Sequence, residues 1–195
     1  MKISFCTVCR DRLMHLEQTY PNNMKVGRGH EFILLSYGDK EVTEFAEQFY
    51  GINKFHYYFT NAEYYHMSIA KNIAHRLANG DFLFCLDADT YIYPSMIDAI
   101  LQCKGFISHP FSHSTVFGMP RKAFYDLGGY DERLNGWGSE DIIMADRLKR
   151  YGLECIPAPE DSCEIIAHDD FIRHRSYHPN YQPGWVKQRI ANEVH

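Results

Sequence analysis

The chain has 195 residues, 45% of them hydrophobic, with 25 acidic residues against 20 Lys and Arg and a formal net charge of −5. This is enough apolar material for one α/β domain with a real core, and without a long basic run there is no nucleic-acid footprint. No apolar stretch approaches the roughly 20 residues that span a bilayer. The N-terminus, MKISFCTVCRDR, turns polar after Cys9, too early for a signal peptide. A soluble, cytoplasmic chain, at most peripheral to a membrane, is the expectation. The six scattered cysteines then read as buried thiols. Cys6 and Cys9 form a C-x-x-C, but with no second pair to complete a zinc site.

In chain order, KISFCTV reads as a strand ending near Arg10, and RDRLMHLEQTY as a helix stopped by Pro21. EFILLSY is a buried strand closed by Gly38-Asp39. EVTEFAEQFYG is helical, and KFHYYFT is a third strand. The strongest helix is NAEYYHMSIAKNIAHRLANG, with Asn61 as cap, Tyr65, Ile69, Ile73 and Leu77 on one face, and Gly80 at its end. DFLFCL is the fourth strand. Such alternation predicts a mostly parallel, Rossmann-like sheet with helices on both faces. After PSMIDAIL, the stretch GFISHPFSHSTVFGM is extended. PRKAFYDLGG and SEDIIMADRLKRYG are helices, the second capped by Ser139, and LECIP and CEIIAH are strands. One domain over 1–195 is expected, with 169–195 a polar, basic tail that ends in a helix after Pro183.

Ligands of such sheets bind beyond the carboxyl ends of the strands. Arg10, Asp39, Asp87 and Asp89 all fall there. Two carboxylates separated only by Ala88 repel unless a cation joins them, and hard oxygen ligands suit Mn²⁺ or Mg²⁺; the alternative is a polar turn. One of His168, His174 and His178 could complete a mixed carboxylate–imidazole site. Glu140 and Asp141 open a helix, where the dipole alone favours acids. Gly136-Trp137-Gly138 before them suits a mobile loop over a sugar ring.

With these residues in view, the stretches ISFCTVCRDRLMHL, IAKNIAHRLANGDFLFCLDADT and FGMPRKAFYDLGGYDERLNGWGSEDIIMADRLKRYG resemble a GT-A glycosyltransferase of the family 2 type. The second half is similar to the galactosyltransferase C-terminal module of β-1,4-galactosyltransferases, chondroitin polymerases and polypeptide N-acetylgalactosaminyltransferases. The resemblance runs from Ile3 to about His168. It implies that Asp87, Ala88 and Asp89 form the D-x-D that holds Mn²⁺ and the diphosphate. It places Arg10 and Asp39 at the uracil base, and Lys71 and Asn72 on the helix that approaches the donor. Trp137 and Gly138 fall in the sugar-facing loop, Glu140 on sugar hydroxyls, and Asp141 at the catalytic base of inverting members. His168, five positions after Cys163, becomes the metal imidazole.

The implied activity is metal-dependent transfer of a hexose or N-acetylhexosamine from a UDP-sugar to a hydroxyl of a glycan, lipid-linked or protein acceptor, with inversion. Two alternatives stand beside it: a non-catalytic nucleotide-sugar-binding protein and a nucleotidyltransferase of related fold. The second usually carries a glycine-rich loop after the first strand, and CTVCRDRLMHL has no glycine.

Overall fold

The computed structural model describes residues 1–52, 54–108, 116–136 and 138–193. Its first half alternates strand and helix: β1 (Ile3–Cys9), α1 (Leu13–Val26), β2 (Glu31–Tyr37), α2 (Glu41–Glu47), β3 (Phe55–Thr60), α3 (Met67–Leu77) and β4 (Phe82–Cys85). Then come β5 (Thr90–Ile92), α4 (Pro94–Gln102), β6 (Phe106–Ser108), β7 (Phe117–Pro120), α5 (Arg121–Asp126), α6 (Glu140–Arg150), β8 (Cys155–Pro157) and β9 (Cys163–Ile165). Two short helices, α7 (Asp170–His174) and α8 (Gly184–Glu193), follow.

The main sheet has the order β3-β2-β1-β4-β7-β6-β8. β1 is central and parallel to β2 and β4, β2 is parallel to β3, and β7 runs antiparallel between β4 and β6. All seven residues of β2 are buried, as a strand covered on both faces requires. One core layer joins β1, β2 and β4 to Leu16, Tyr20, Phe45, Met96 and Ile100. The other joins the same strands to Ala70, Ala74, Phe124, Met144 and Leu148. Cys9 belongs to the first layer and Cys6 to the second, so the C-x-x-C is split across the sheet and cannot share a metal. All six cysteines are free thiols.

Three local expectations are corrected. Helix α1 does not stop at Pro21 but continues to Val26. Tertiary contacts override the proline, because Tyr20 is 1% exposed and Asn23 is fully buried, with its side chain bonded to β5. Helix α3 begins at Met67 rather than after Asn61, and its cap is the His66 side chain, which accepts from the Ile69 amide. Residues before it are held elsewhere, since the Tyr65 amide donates to the Ser176 carbonyl at 2.7 Å. The deepest face of α3 is also not the aliphatic stripe: Ala70 and Ala74 touch the sheet, while Ile69, Ile73 and Leu77 are only partly buried. Small residues let the helix lie close, and Lys71 and Asn72 are carried inward with them.

Gly80 lies beyond the end of α3, where the chain passes against β1. A Cβ there would meet Ser4 Oγ at 2.5 Å and the Lys2 carbonyl oxygen at 2.8 Å. The Gly80 amide instead donates to Ser4 Oγ at 2.8 Å, beside the buried Glu31 carboxylate. Gly80→Ala should therefore cost about 1–3 kcal/mol, as overpacking does, read as a lowered urea midpoint at unchanged m-value.

Candidate functional site

Beyond the carboxyl ends of β1 and β4 the chain opens a cavity of about 370 Å³. Arg10, Arg12, Lys71, Asp87, Asp89, Glu140 and Asp141 line it, with Ala88 and Gly138. Most of the residues singled out from sequence thus share one cleft. Trp137 lies outside the described residues.

The Asp87–Asp89 turn is pinned from several sides. The Leu86 amide donates to the Cys6 carbonyl at 3.0 Å, and Thr19 Oγ1 from α1 donates to the Ala88 carbonyl at 2.7 Å. Asn23 donates to the Thr90 carbonyl and accepts from the Ile92 amide. Nothing in the spacing of α1 announces Thr19 and Asn23 as the supports of this turn, because their partners are about 70 residues away.

β5 and β9 form a separate antiparallel ribbon, with Thr90 opposite Ile165 and Ile92 opposite Cys163. The Ile166 amide donates to the Asp89 carbonyl at 2.8 Å. This ribbon delivers His168 to Asp89: Nε2 lies 2.8 Å from Asp89 Oδ2, and both side chains are almost fully buried. Arg12 Nη1 lies 2.6 Å from the same oxygen and 2.8 Å from the same ring nitrogen. Removal from water pushes the Asp87 carboxyl up to about 7, with Asp89 and Asp141 adding repulsion and Lys71 and Arg12 opposing it. Among the described residues no three His, Cys, Asp or Glu side chains form a ready ligand cluster. The donor set is still of the right chemistry. An imidazole and a carboxylate, His168 and Asp89, already hold the Arg12 cation, and the Asp87 carboxylate lines the same cavity, a set of donor types that suits Mn²⁺.

In the same cavity, Lys71 is 4% exposed and donates to Glu140 Oε1 at 2.8 Å and Asp141 Oδ2 at 2.6 Å. Its ammonium also sits 5.4 Å from the centre of the Tyr130 ring. Burial alone would lower its pKa, but Asp141 and Glu140 beside it hold it well above the lysine range. The two acids are driven apart. Glu140 is held below the ordinary range, because Lys71 outweighs its burial. Asp141 is raised, because burial and the Glu140 charge outweigh Lys71. Asp141 is therefore the better proton acceptor of the pair, and among the described residues its buried Oδ1 has no hydrogen-bond partner within ordinary distance.

Ser139 occupies the cap position of α6 but makes no side-chain cap; its φ of +78° is left-handed, after Gly136 at +86° and Gly138 at +88°. The sequence expectation of an ordinary serine cap is corrected. The loop enters α6 through a left-handed turn that glycine takes freely and serine takes at a cost.

Three other expected residues sit behind the cleft wall or are engaged within it. Arg10 donates to the carbonyls of Tyr37, Ala62 and Glu63, and so ties the end of β2 to the segment after β3. Asp39 is absent from the cavity lining. It accepts from the amides of Asp11 and Glu41, fixing the turn between Arg10 and Arg12, where Asp11 has a φ of +53°. Asn72 holds Tyr130 with both ends of its amide, donating to the carbonyl at 2.9 Å and accepting from the N–H at 2.7 Å. The Asp131 turn follows from there.

The residues after His168 are not a solvated extension throughout. Ile172 and Ser176 line the cavity, Ser176 donates to Asp11, and Tyr177 packs on Tyr65 with ring centres 5.5 Å apart. Lys71→Met would leave the buried Glu140 carboxylate and Asp141 uncompensated. A loss of about 3–5 kcal/mol is expected, partly recovered in Lys71→Met/Glu140→Gln, as read by urea unfolding.

Residues 102–174 match the family model described as the N-terminal domain of galactosyltransferase. Solved structures match the fold. The mannosyltransferase PcManGT of Pyrobaculum calidifontis, in complex with GDP-Man and Mn²⁺, gives a TM-score of 0.70 at 14% identity, covering 90% of this chain and 61% of that one. A mutant of the Drosophila β1,4-galactosyltransferase 7, in complex with manganese, UDP-Gal and xylobiose, gives 0.65 at 17% identity, covering 91% and 76%. TarS 1–349 of S. aureus with UDP-GlcNAc gives 0.70 at 11% identity, covering 87% and 59%. The chain thus spans about three-fifths of the mannosyltransferase and TarS structures it matches. With its seven-stranded sheet, and with the cleft at the carboxyl ends of β1 and β4, the chain has the GT-A glycosyltransferase fold, carrying a galactosyltransferase-like module in its second half.

Proposed function

We propose that the cleft is the active site of a metal-dependent, inverting glycosyltransferase that takes its sugar from a UDP-sugar. The observation that carries the reading is that one cleft holds two acidic groups of different character. Asp87 and Asp89 line it, with the buried His168 behind the lining on Asp89, and so does a split-pKa pair, Glu140 and Asp141, clamped by Lys71. A pinned acidic turn against a tuned carboxylate pair is more than a polar turn needs. The mannosyltransferase, galactosyltransferase and TarS structures carry nucleotide sugars, two of them with manganese, which supports the donor class.

Asp87, Asp89 and His168 would hold the Mn²⁺, which when bound offsets charge on the leaving diphosphate. The rest falls to the chain's own side chains. Asp141 accepts the proton of the acceptor hydroxyl as that oxygen attacks the anomeric carbon from the face opposite the diphosphate. Glu140, ionised and held by Lys71, takes hydrogen bonds from sugar hydroxyls. Lys71 keeps Asp141 ionised and aimed. Gly138 and Ser139 border the sugar, and Ile172 and Ser176 help to exclude water. A glycan, lipid-linked or protein hydroxyl serves as acceptor, and the segment after His168 folds against the cleft.

Calorimetric titration with UDP and with GDP tests the donor. UDP binding that requires Mn²⁺ and is lost in Asp87→Ala/Asp89→Ala is expected. Tighter GDP binding would move the donor to a GDP-sugar, and metal-independent binding would favour a scaffold. Asp141→Asn should lower kcat by at least roughly 100-fold while UDP affinity stays within about threefold, since the amide keeps the shape without the basicity. In the wild type, kcat/KM should fall with decreasing pH as Asp141 takes up a proton. The midpoint should lie above the ordinary aspartate range, because its pKa is raised.

A further inference from the structure

Arg12 was not marked out by the sequence pattern, yet it makes short contacts with both members of the Asp89–His168 pair. Nη1 is 2.6 Å from Asp89 Oδ2 and 2.8 Å from His168 Nε2, and those two atoms are themselves 2.8 Å apart. A single ring nitrogen cannot both donate to the carboxylate and accept from the guanidinium. The other ring nitrogen, Nδ1, lies 3.4 Å from the Asp169 carbonyl, an acceptor. A proton on Nδ1 satisfies that carbonyl and leaves Nε2 with its lone pair toward Arg12. Oδ2 and Nε2 are then two acceptors aimed at one cationic nitrogen. The side chains of Asp89, His168 and Arg12 are only 3%, 5% and 15% exposed.

From this geometry we infer that Arg12 is the resident counter-cation of the Asp89–His168 pair, that it competes with a divalent metal for them, and that a nucleoside diphosphate relieves the competition by giving the guanidinium a new anionic partner. The inference rests on the cleft being a metal-dependent donor site. A guanidinium and Mn²⁺ cannot both approach one carboxylate oxygen and one imidazole lone pair at bonding distance. Arg12 also lines the cavity, so on leaving the pair it meets the space where a diphosphate would lie, and a guanidinium binds phosphate oxygens in bidentate fashion. Metal and nucleotide therefore bind with positive coupling, and by linkage each tightens the other by the same factor.

Mn²⁺ binding, followed by the electron paramagnetic resonance signal of the free ion, tests this without turnover. Arg12→Gln removes the charge and keeps a hydrogen-bonding side chain. In the absence of nucleotide it should bind Mn²⁺ about tenfold or more tightly than wild type, in line with removing a like charge beside the ligands. The factor by which UDP tightens Mn²⁺ should shrink in the variant. Arg12→Lys should resemble wild type more than Arg12→Gln does, and thermal unfolding of each variant checks that the fold is kept. Mn²⁺ binding that depends on Asp89, as shown by its loss in Asp89→Asn, but is unchanged or weakened in Arg12→Gln would overturn the inference while leaving the donor site standing. No Mn²⁺ binding by wild type or variant, with or without UDP, would overturn both.

Discussion

Lys71 joined to Glu140 and Asp141 is the interaction on which the site depends. The lysine stands on α3, in the parallel half of the sheet, and the acids open α6, almost 70 residues later. One buried ammonium between two carboxylates is costly to desolvate and is retained only where its partners are well placed. Ala70 and Ala74 let α3 lie close to the strands. Asn72 draws the Tyr130 turn inward, and Arg147 donates to the Gly129 and Leu127 carbonyls from the far side of that turn. Each contact fixes the approach of α6, and with it the position of Asp141 in the cavity that the Asp87–Asp89 turn also lines.

The cleft therefore holds two charge clusters of different character. At the Asp89 end a cation is shared between an oxygen and an imidazole nitrogen. At the Asp141 end a fixed lysine separates the proton affinities of neighbouring acids. Arrangements of the second kind assign acid–base roles without any bound ligand. The first kind is poised for exchange of one cation for another, because the guanidinium is held on a flexible side chain and the ring and carboxylate are held by the β5–β9 ribbon. The backbone supports both: a strand end pinned by α1 at the first, and a left-handed turn at Ser139 at the second.

Much of this was legible in the sequence. The strand–helix alternation and the apolar run inside β2 indicate a parallel sheet, and the position of Asp87 and Asp89 after β4 indicates which edge carries the chemistry. The order of D-x-D, G-G-Y-D-E and G-W-G-x-E-D points to the glycosyltransferase fold. What was not legible is long-range. Periodicity favours the aliphatic face of α3 as the buried one, yet close packing selects the alanine face and brings Lys71 with it. Pro21 marks a helix end by local rules, and the buried Asn23 overrides them. Arg12, Thr19 and Asn23 find their partners about 70 residues or more along the chain, across a sheet crossover that no local pattern encodes. β5, only three residues long, pairs with β9, and without that ribbon the approach of His168 to Asp89 has no visible cause.

The central claim is that the Asp87–Asp89 turn and His168 hold a divalent ion beside a nucleoside diphosphate. Paramagnetic broadening by substoichiometric Mn²⁺ in the presence of UDP, read on the backbone amide signals of the labelled protein, tests it at the level of single residues. The account predicts that Arg12, Asp87 through Thr90, and Ile166 through His168 lose intensity first, and that Lys71 and Asp141, in the same cavity, follow. Broadening scattered over exposed acids such as Asp126 and Asp131, with the Asp87–Thr90 signals retained, would contradict it.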